Sequence, residues 1–144
     1  MEPILSRLPA ALRDVRYDGA RFPGAAVVAG LPGVAAGANC QLYAYEVLRH
    51  FGRRPADLRS SELWEDAEHS VRVPSPEPLD LLLFSADGDA YGAHVGLWAG
   101  EDAVLHLCAE VGRPAVWGLA EFAARRRYRV LVGIKRVTGR PAPG

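Results

Sequence analysis

Three side chains of this sequence have the chemistry of nucleophilic catalysis: the thiol of Cys40 and the imidazoles of His94 and His106. Cys40 follows Gly37-Ala38-Asn39, small residues ending in a capping type. After it the apolar positions Ala44, Val47, Leu48 and Phe51 recur at helical spacing up to Gly52. The pattern predicts an amphipathic helix with Cys40 in its first turn, at the head of the buried stripe. A helix N-terminus offers unpaired N–H groups and a partial positive charge, and both favour a thiolate. A lone buried cysteine is as a rule a small core residue, so reading Cys40 as a nucleophile depends on finding its partners.

The histidines are those partners. His94 stands in Ala93-His94-Val95-Gly96-Leu97-Trp98 and His106 in Ala103-Val104-Leu105-His106-Leu107, two strand-type runs on either side of Ala99-Gly100-Glu101-Asp102. A hairpin centred on Gly100 sets the two directly opposite each other, with Cβ atoms about 4.5–5.5 Å apart on one face. Alternation then places His94, Gly96, Trp98, Val104 and His106 on that face, and Val95, Leu97, Leu105 and Leu107 on the other. One imidazole can take the thiol proton while the second fixes its orientation and tautomer. Gly96 leaves room for another element to approach closely. A pair of partly exposed strand histidines and a metal-binding pair are the competing readings, but no Asp or Glu alternates onto this face to complete a metal site. Cys108 shares the parity of His106 and ranks below Cys40, because a strand interior offers no helix-terminus field. His50 is read as a partner of a helix C-terminus and His69 as a surface residue.

These groups need a scaffold. Residues 4–15 carry a helical pattern that Pro9 bends or delays. Residues 17–37 form a long connection rich in Gly, Ala and Pro, followed by the Cys40 helix. Residues 53–78 read as irregular, apart from a short helix around 60–66. Strands are expected over 79–84, 93–98, 103–107 and 128–137, with a weaker one over 114–117 and a short helix over 119–124. Helices first and a meander of strands after predict an α+β fold with an antiparallel sheet.

With 144 residues, 49% hydrophobic and 24% charged, the chain suits one globular domain over 1–144. It divides into an N-terminal helix and loop (1–36), a catalytic core (37–137) and a flexible tail (138–144). Lys+Arg and Asp+Glu both number 17, which argues against a general nucleic-acid or anionic-membrane binder. The run Arg125-Arg126-Arg127 reads as a solvated face. The N-terminus has no basic segment followed by an apolar one, so neither signal peptide nor membrane span is expected and the location read is cytoplasmic. Cys40 and Cys108 are then two thiols, and without a CxxC no structural zinc site is expected.

A Cys at the start of a helix, the strand run Leu79-Asp80-Leu81-Leu82-Leu83-Phe84, then His94-Val95-Gly96-Leu97-Trp98 and a second histidine twelve positions after the first resemble the NlpC/P60 family of papain-like cysteine peptidases. The match runs from about Gly37 to Val137. The resemblance implies a papain-like α+β fold, with the Cys-bearing helix packed on a central antiparallel sheet that carries the histidines. It implies Cys40 as nucleophile, His94 as general base and then acid, and His106 as the orienting residue. The Cys40 N–H would belong to the oxyanion hole, and the reaction would pass through a thioester acyl-enzyme. Asn39 and Gln41 stand where the family has Asp and Ser, and Arg21-Phe22-Pro23-Gly24 where it has an aromatic Gly-Gly segment. Asn39, Gln41, Phe22, Trp64 and Trp98 are therefore the candidates for the oxyanion or substrate pocket, with Tyr43 as a further aromatic. The activity implied is hydrolysis of an amide in a small peptide or amide-containing molecule, of peptide or γ-glutamyl type, without cofactor or metal. Acyl transfer on the same triad, or a non-catalytic binding module of the same fold, is the alternative. The oligomeric state is not indicated.

Overall fold

Pro9 cuts the N-terminal helical pattern in two. In the computed structural model, which describes residues 4–138, a 3-10 turn over Ile4–Arg7 is followed by α1 (Ala10–Arg13) with Pro9 as its N-cap. Proline lacks the N–H that an interior helical position must donate, so it serves here as a start. The expected tail lies, apart from Thr138, outside the described residues. No helix among the described residues is long and apolar enough to cross a membrane.

The long connection has an organiser that the composition did not reveal. Arg21 is buried, and its guanidinium donates to four backbone carbonyls: Gly37 (2.8 Å), Leu31 (2.7 Å), Gly33 (3.0 Å) and Val27 (3.4 Å). A buried cation costs several kcal/mol unless its donors are satisfied, and here the loop itself closes around it. Within that loop α2 (Ala26–Gly30) forms a single turn that the Gly/Ala-rich pattern left as connection. The Arg21 carbonyl in turn accepts the Asn39 N–H at 2.9 Å, which ties the folded loop to the start of the next helix.

That helix is α3 (Cys40–His50). Leu42, Tyr43, Ala44, Tyr45, Val47 and Leu48 are all buried along it, each large aliphatic contributing about 1.5–3 kcal/mol by leaving water. The Tyr43 and Tyr45 hydroxyls donate to the carbonyls of Leu12 (2.6 Å) and Leu58 (2.8 Å). Gly52, with φ of 82°, turns the chain out of the helix. Next come α4 (Ser60–Glu65) and β1 (Ser70–Val73). β1 corrects the expectation of an irregular 53–78: four residues with only Ser70 buried carry no clear alternation, and pairing with the C-terminal strand makes them a strand. Then follow β2 (Leu81–Ser85), β3 (His94–Gly100), β4 (Ala103–Leu107), β5 (Pro114–Trp117), α5 (Leu119–Ala123), a 3-10 turn over Arg126–Tyr128 and β6 (Val130–Val137). β2 begins two residues later than expected. Leu79 has φ of 78°, outside strand geometry, and the buried Asp80 accepts from Arg136 through both carboxylate oxygens (2.9 Å each).

The six strands form one antiparallel sheet in the order β1-β6-β2-β3-β4-β5. Its two faces have different covers. Leu81, Leu83, Val95, Leu97, Leu105 and Leu107 pack under α3. Leu82, Phe84, Val104, Cys108 and Ile134 pack with Trp117, Phe122 and Tyr128 from β5, α5 and the 3-10 turn. The expected α+β architecture, with the Cys-bearing helix on an antiparallel sheet, is therefore the observed one.

Candidate active site

Asn39 caps α3: its side-chain oxygen accepts the Leu42 N–H at 2.8 Å. Cys40 is thereby fixed in the first turn, half-buried, with its thiol within reach of the Val95 N–H of β3. Burial pushes its thiol up, and this outweighs the N–H groups of Val95, Gln41 and Cys40 and the Arg59 charge, which all pull it down. The helix-terminus field acts in the expected direction and loses to desolvation.

The histidine hairpin departs from the expected register. Glu101 and Asp102 both have positive φ (50° and 55°) and form the turn, and the ladder shifts between Trp98 and Gly100. Leu97 pairs with Leu105 and Trp98 with Val104, so continuing the register sets His106 opposite Gly96 instead of His94. The slip is by two residues, which preserves the face, and the histidines are diagonal neighbours. His94 Nε2 and His106 Nδ1 are 2.9 Å apart, with ring planes at 85°. The turn is held where it is by Asp102, which accepts the Leu119 N–H at 2.9 Å at the start of α5.

Gly96 does leave room, and its own hairpin partner fills it. A Cβ there would stand 2.6 Å from Val104 Cγ1 and 3.5 Å from His106 Cβ. Gly96→Ala is expected to lower stability by about 1–3 kcal/mol, the usual cost of overpacking. Thermal unfolding checks this, and a change below about 0.5 kcal/mol would show that Val104 gives way freely.

Both imidazoles are shielded from water. His94 lies against Tyr128 (ring centroids 4.6 Å), and His106 lies between Trp117 (4.2 Å) and Phe122 (4.7 Å). Burial, then the neighbouring His106 and the Arg127 charge, lower His94 to about 3. Burial and Arg125 lower His106 to about 4. Each ring is therefore neutral at physiological pH. Among the described residues His106 Nε2 is buried without a hydrogen-bond partner, and the ring's hydrogen bond is the one between Nδ1 and His94.

Cys40, at the head of the covering helix α3, and His94, the first residue of β3, meet at the end of the sheet. There a cavity of about 160 Å³ is lined by Tyr17, Cys40, Gly92, Ala93, His94, Cys108, Ala109, Arg127 and Tyr128. Cys40 and Cys108 are both free thiols, and the second is fully enclosed. Of the other candidates, Phe22 lies beneath the Arg59 guanidinium (4.0 Å), whose charge reaches Cys40. Gln41 is buried, with its amide donating to Tyr45 Oη (3.0 Å) and the Leu58 carbonyl (2.7 Å), and it does not line the cavity. Trp64 covers β6: it fills the space over Gly133, stacks under Arg72 (4.0 Å), and its carbonyl accepts from the buried Lys135. Trp98 packs at the edge of the second core and also stays outside the cavity wall. Tyr17, Arg127 and Tyr128 are cavity residues that pattern reading missed. They come from a loop and a short turn with no periodicity, and only the Arg125-Arg126-Arg127 run hinted at a local charge.

The fold is similar to the crystal structure of the NlpC/p60 domain of the peptidoglycan hydrolase SagA. Sequence identity is 20%, the likeness covers 84% of this chain and 91% of that one, and the TM-score is 0.50. No protein-family model and no curated protein matches the sequence. The structural likeness establishes an NlpC/p60 fold for this chain.

Proposed function

We propose that this protein is a cysteine hydrolase that cleaves an amide bond through Cys40, His94 and His106. The observation that carries the reading is the shared cavity of Cys40 and His94, with His94 Nε2 held 2.9 Å from His106 Nδ1. That hydrogen bond leaves Nδ1 of His94 as the nitrogen available to the thiol. The fold, shared with a peptidoglycan hydrolase domain, agrees with amide hydrolysis.

Because burial keeps both partners neutral at rest, the thiol proton moves to His94 only as sulfur attacks the substrate carbonyl carbon. The C–S bond forms, and the carbonyl electron pair becomes an oxyanion facing the first-turn N–H groups of α3. Collapse re-forms the carbonyl and breaks the C–N bond, and His94 returns its proton to the departing amine. His94 then deprotonates a water that attacks the thioester, which releases the acid and restores the thiol.

Treated with iodoacetamide near neutral pH, the protein should be alkylated at Cys40 well before Cys108, as peptide mass mapping would show. Offered peptide and γ-glutamyl amides, it should release a free acid and an amine. A new amide formed on adding a second amine would assign acyl transfer instead. Equal, slow alkylation of both cysteines would overturn the nucleophile assignment.

A further inference from the structure

The donors of the cavity exceed what the three proposed catalytic residues require. Tyr17 and Tyr128 both line it, and neither hydroxyl has a hydrogen-bond partner among the described residues. Tyr128 is 7% exposed as a residue, and its hydroxyl stays open to the cavity, ready to donate to a bound group. Burial holds Tyr128 up at about 12 and also raises Tyr17, so both keep their protons and act as donors at neutral pH. The third group is Arg127, exposed at the mouth and without an ion pair among the described residues. Of the arginines flanking it in sequence, Arg125 pairs with Glu110 at 2.8 Å and lies over Trp117, Arg129 donates to the Ala86 carbonyl at 2.7 Å, and Arg126 is exposed and does not line the cavity. Arg127 lines the same cavity as Tyr17, His94 and Tyr128, and its charge acts on all three. Arg59 adds a second positive charge on the Cys40 side. Among the described residues no Asp or Glu lines the cavity; Asp18 acts on Tyr17 and Glu110 on Tyr128, each less than Arg127 does.

We infer that this cavity is a carboxylate subsite: Arg127, Tyr128 and Tyr17 bind a carboxylate carried by the substrate close to the amide that Cys40 attacks. The inference rests on the hydrolase reading for its link to Cys40, and on the donor set alone for the charge of the ligand. A guanidinium and two hydroxyls offer a carboxylate charge-assisted hydrogen bonds in a partly enclosed site, where they are strongest. The small residues Gly92, Ala93 and Ala109 leave space for one short acidic group. The substrate class is thus an amide whose acyl or amine portion bears a free carboxylate, and a neutral or cationic counterpart is disfavoured.

Alkylating reagents of matched size test this directly. Iodoacetate and iodoacetamide react alike: sulfur bonds to the methylene carbon, iodide leaves with its electron pair, and the thiol proton passes to His94 or solvent. The ratio of the two rate constants at Cys40, read by mass mapping, is expected to exceed that of a small free thiol by about tenfold or more, the scale of one charge-assisted hydrogen bond. Arg127→Gln should bring the ratio to the free-thiol value, Tyr128→Phe should lower it part of the way, and about 1 M salt should reduce it by screening. In parallel, N-acetylglycine, but not N-acetylglycinamide, should shift the amide NMR signals of Gly92 and Ala109, with the shift lost in Arg127→Gln. If Cys40 resists both reagents while the carboxylate still binds, the subsite stands and the nucleophile assignment fails. If Cys40 is alkylated without charge preference and N-acetylglycine leaves the signals unmoved, the subsite is wrong and the nucleophile assignment stands.

Discussion

In a His94→Ala variant, alkylation of Cys40 by iodoacetamide near neutral pH is expected to slow by at least about 10²-fold, the lower end of what a positioned general base supplies. The size of the effect follows from the state of the thiol. If the helix terminus had made Cys40 a resting thiolate, the sulfur would react without help and His94 would matter little. Burial instead raises the thiol above its ordinary range, so few molecules carry the thiolate and proton removal must accompany attack. His94 stays a base down to about pH 3, because its charged form is disfavoured by burial and by the cations around it. In the parent protein neutral His94 beside a protonated thiol is the reacting form from above about pH 3, so the rate should be nearly flat through neutrality and rise only where the thiol itself ionises. A rate that climbs about tenfold per pH unit through neutrality would mean that free thiolate reacts without help from His94. His106→Asn should slow alkylation less than His94→Ala, since that residue touches the base and not the thiol. A loss smaller than about threefold in His94→Ala would remove His94 from the mechanism, because such a change is within reach of packing effects alone.

Much of this arrangement is legible in the sequence, for physical reasons that also mark where legibility ends. The Cys40 helix announces itself by period, cap and terminating glycine, all local signals, and the structure returns it with Asn39 as its N-cap. The shared face of His94 and His106 needs only parity, which a two-residue slip cannot disturb. Their exact pairing needs the turn geometry. Two non-glycine residues with positive φ, held by an Asp102 contact seventeen positions along the chain, leave no reliable local trace. The same holds for β1, whose strand character comes from its pairing with β6, and for Arg21, whose four carbonyl partners exist only once the loop has folded around it. Gln41 shows the opposite failure. Its place where the family has Ser suggested a role in the pocket, yet one residue along a helix is about 100° around it, and its amide faces the core instead.

The histidine pair should also make this protein acid-sensitive at an unusually high pH. In the unfolded chain each imidazole binds a proton near the ordinary value of about 6.5, whereas in the folded protein His94 and His106 resist protonation down to about 3 and about 4. Between those limits the unfolded state holds up to two more protons, so stability falls as pH falls. At pH 5 the loss is roughly 2 kcal/mol for each histidine, a large share of the 5–15 kcal/mol or so that holds a typical domain together. Below about pH 4 the folded pair begins to accept protons and this contribution levels off. Carboxylates add little between pH 7 and pH 5: Asp66 is lowered to about 2, its burial being outweighed by hydrogen bonds from Ser70, Glu68 and His69, so its contribution is lost only as pH falls from the ordinary carboxylate value of about 4 to about 2. The midpoint of urea unfolding should accordingly drop steeply from pH 7 to pH 5 in the parent. It should drop much less in a His94→Gln/His106→Gln double variant, whatever that variant's starting stability. Parallel slopes for the two proteins would mean that the imidazoles are solvated and charge normally, and the neutral general base of the proposed reaction would go with them. The burial that costs the fold its acid tolerance is the same burial that keeps Nδ1 of His94 unprotonated beside the thiol.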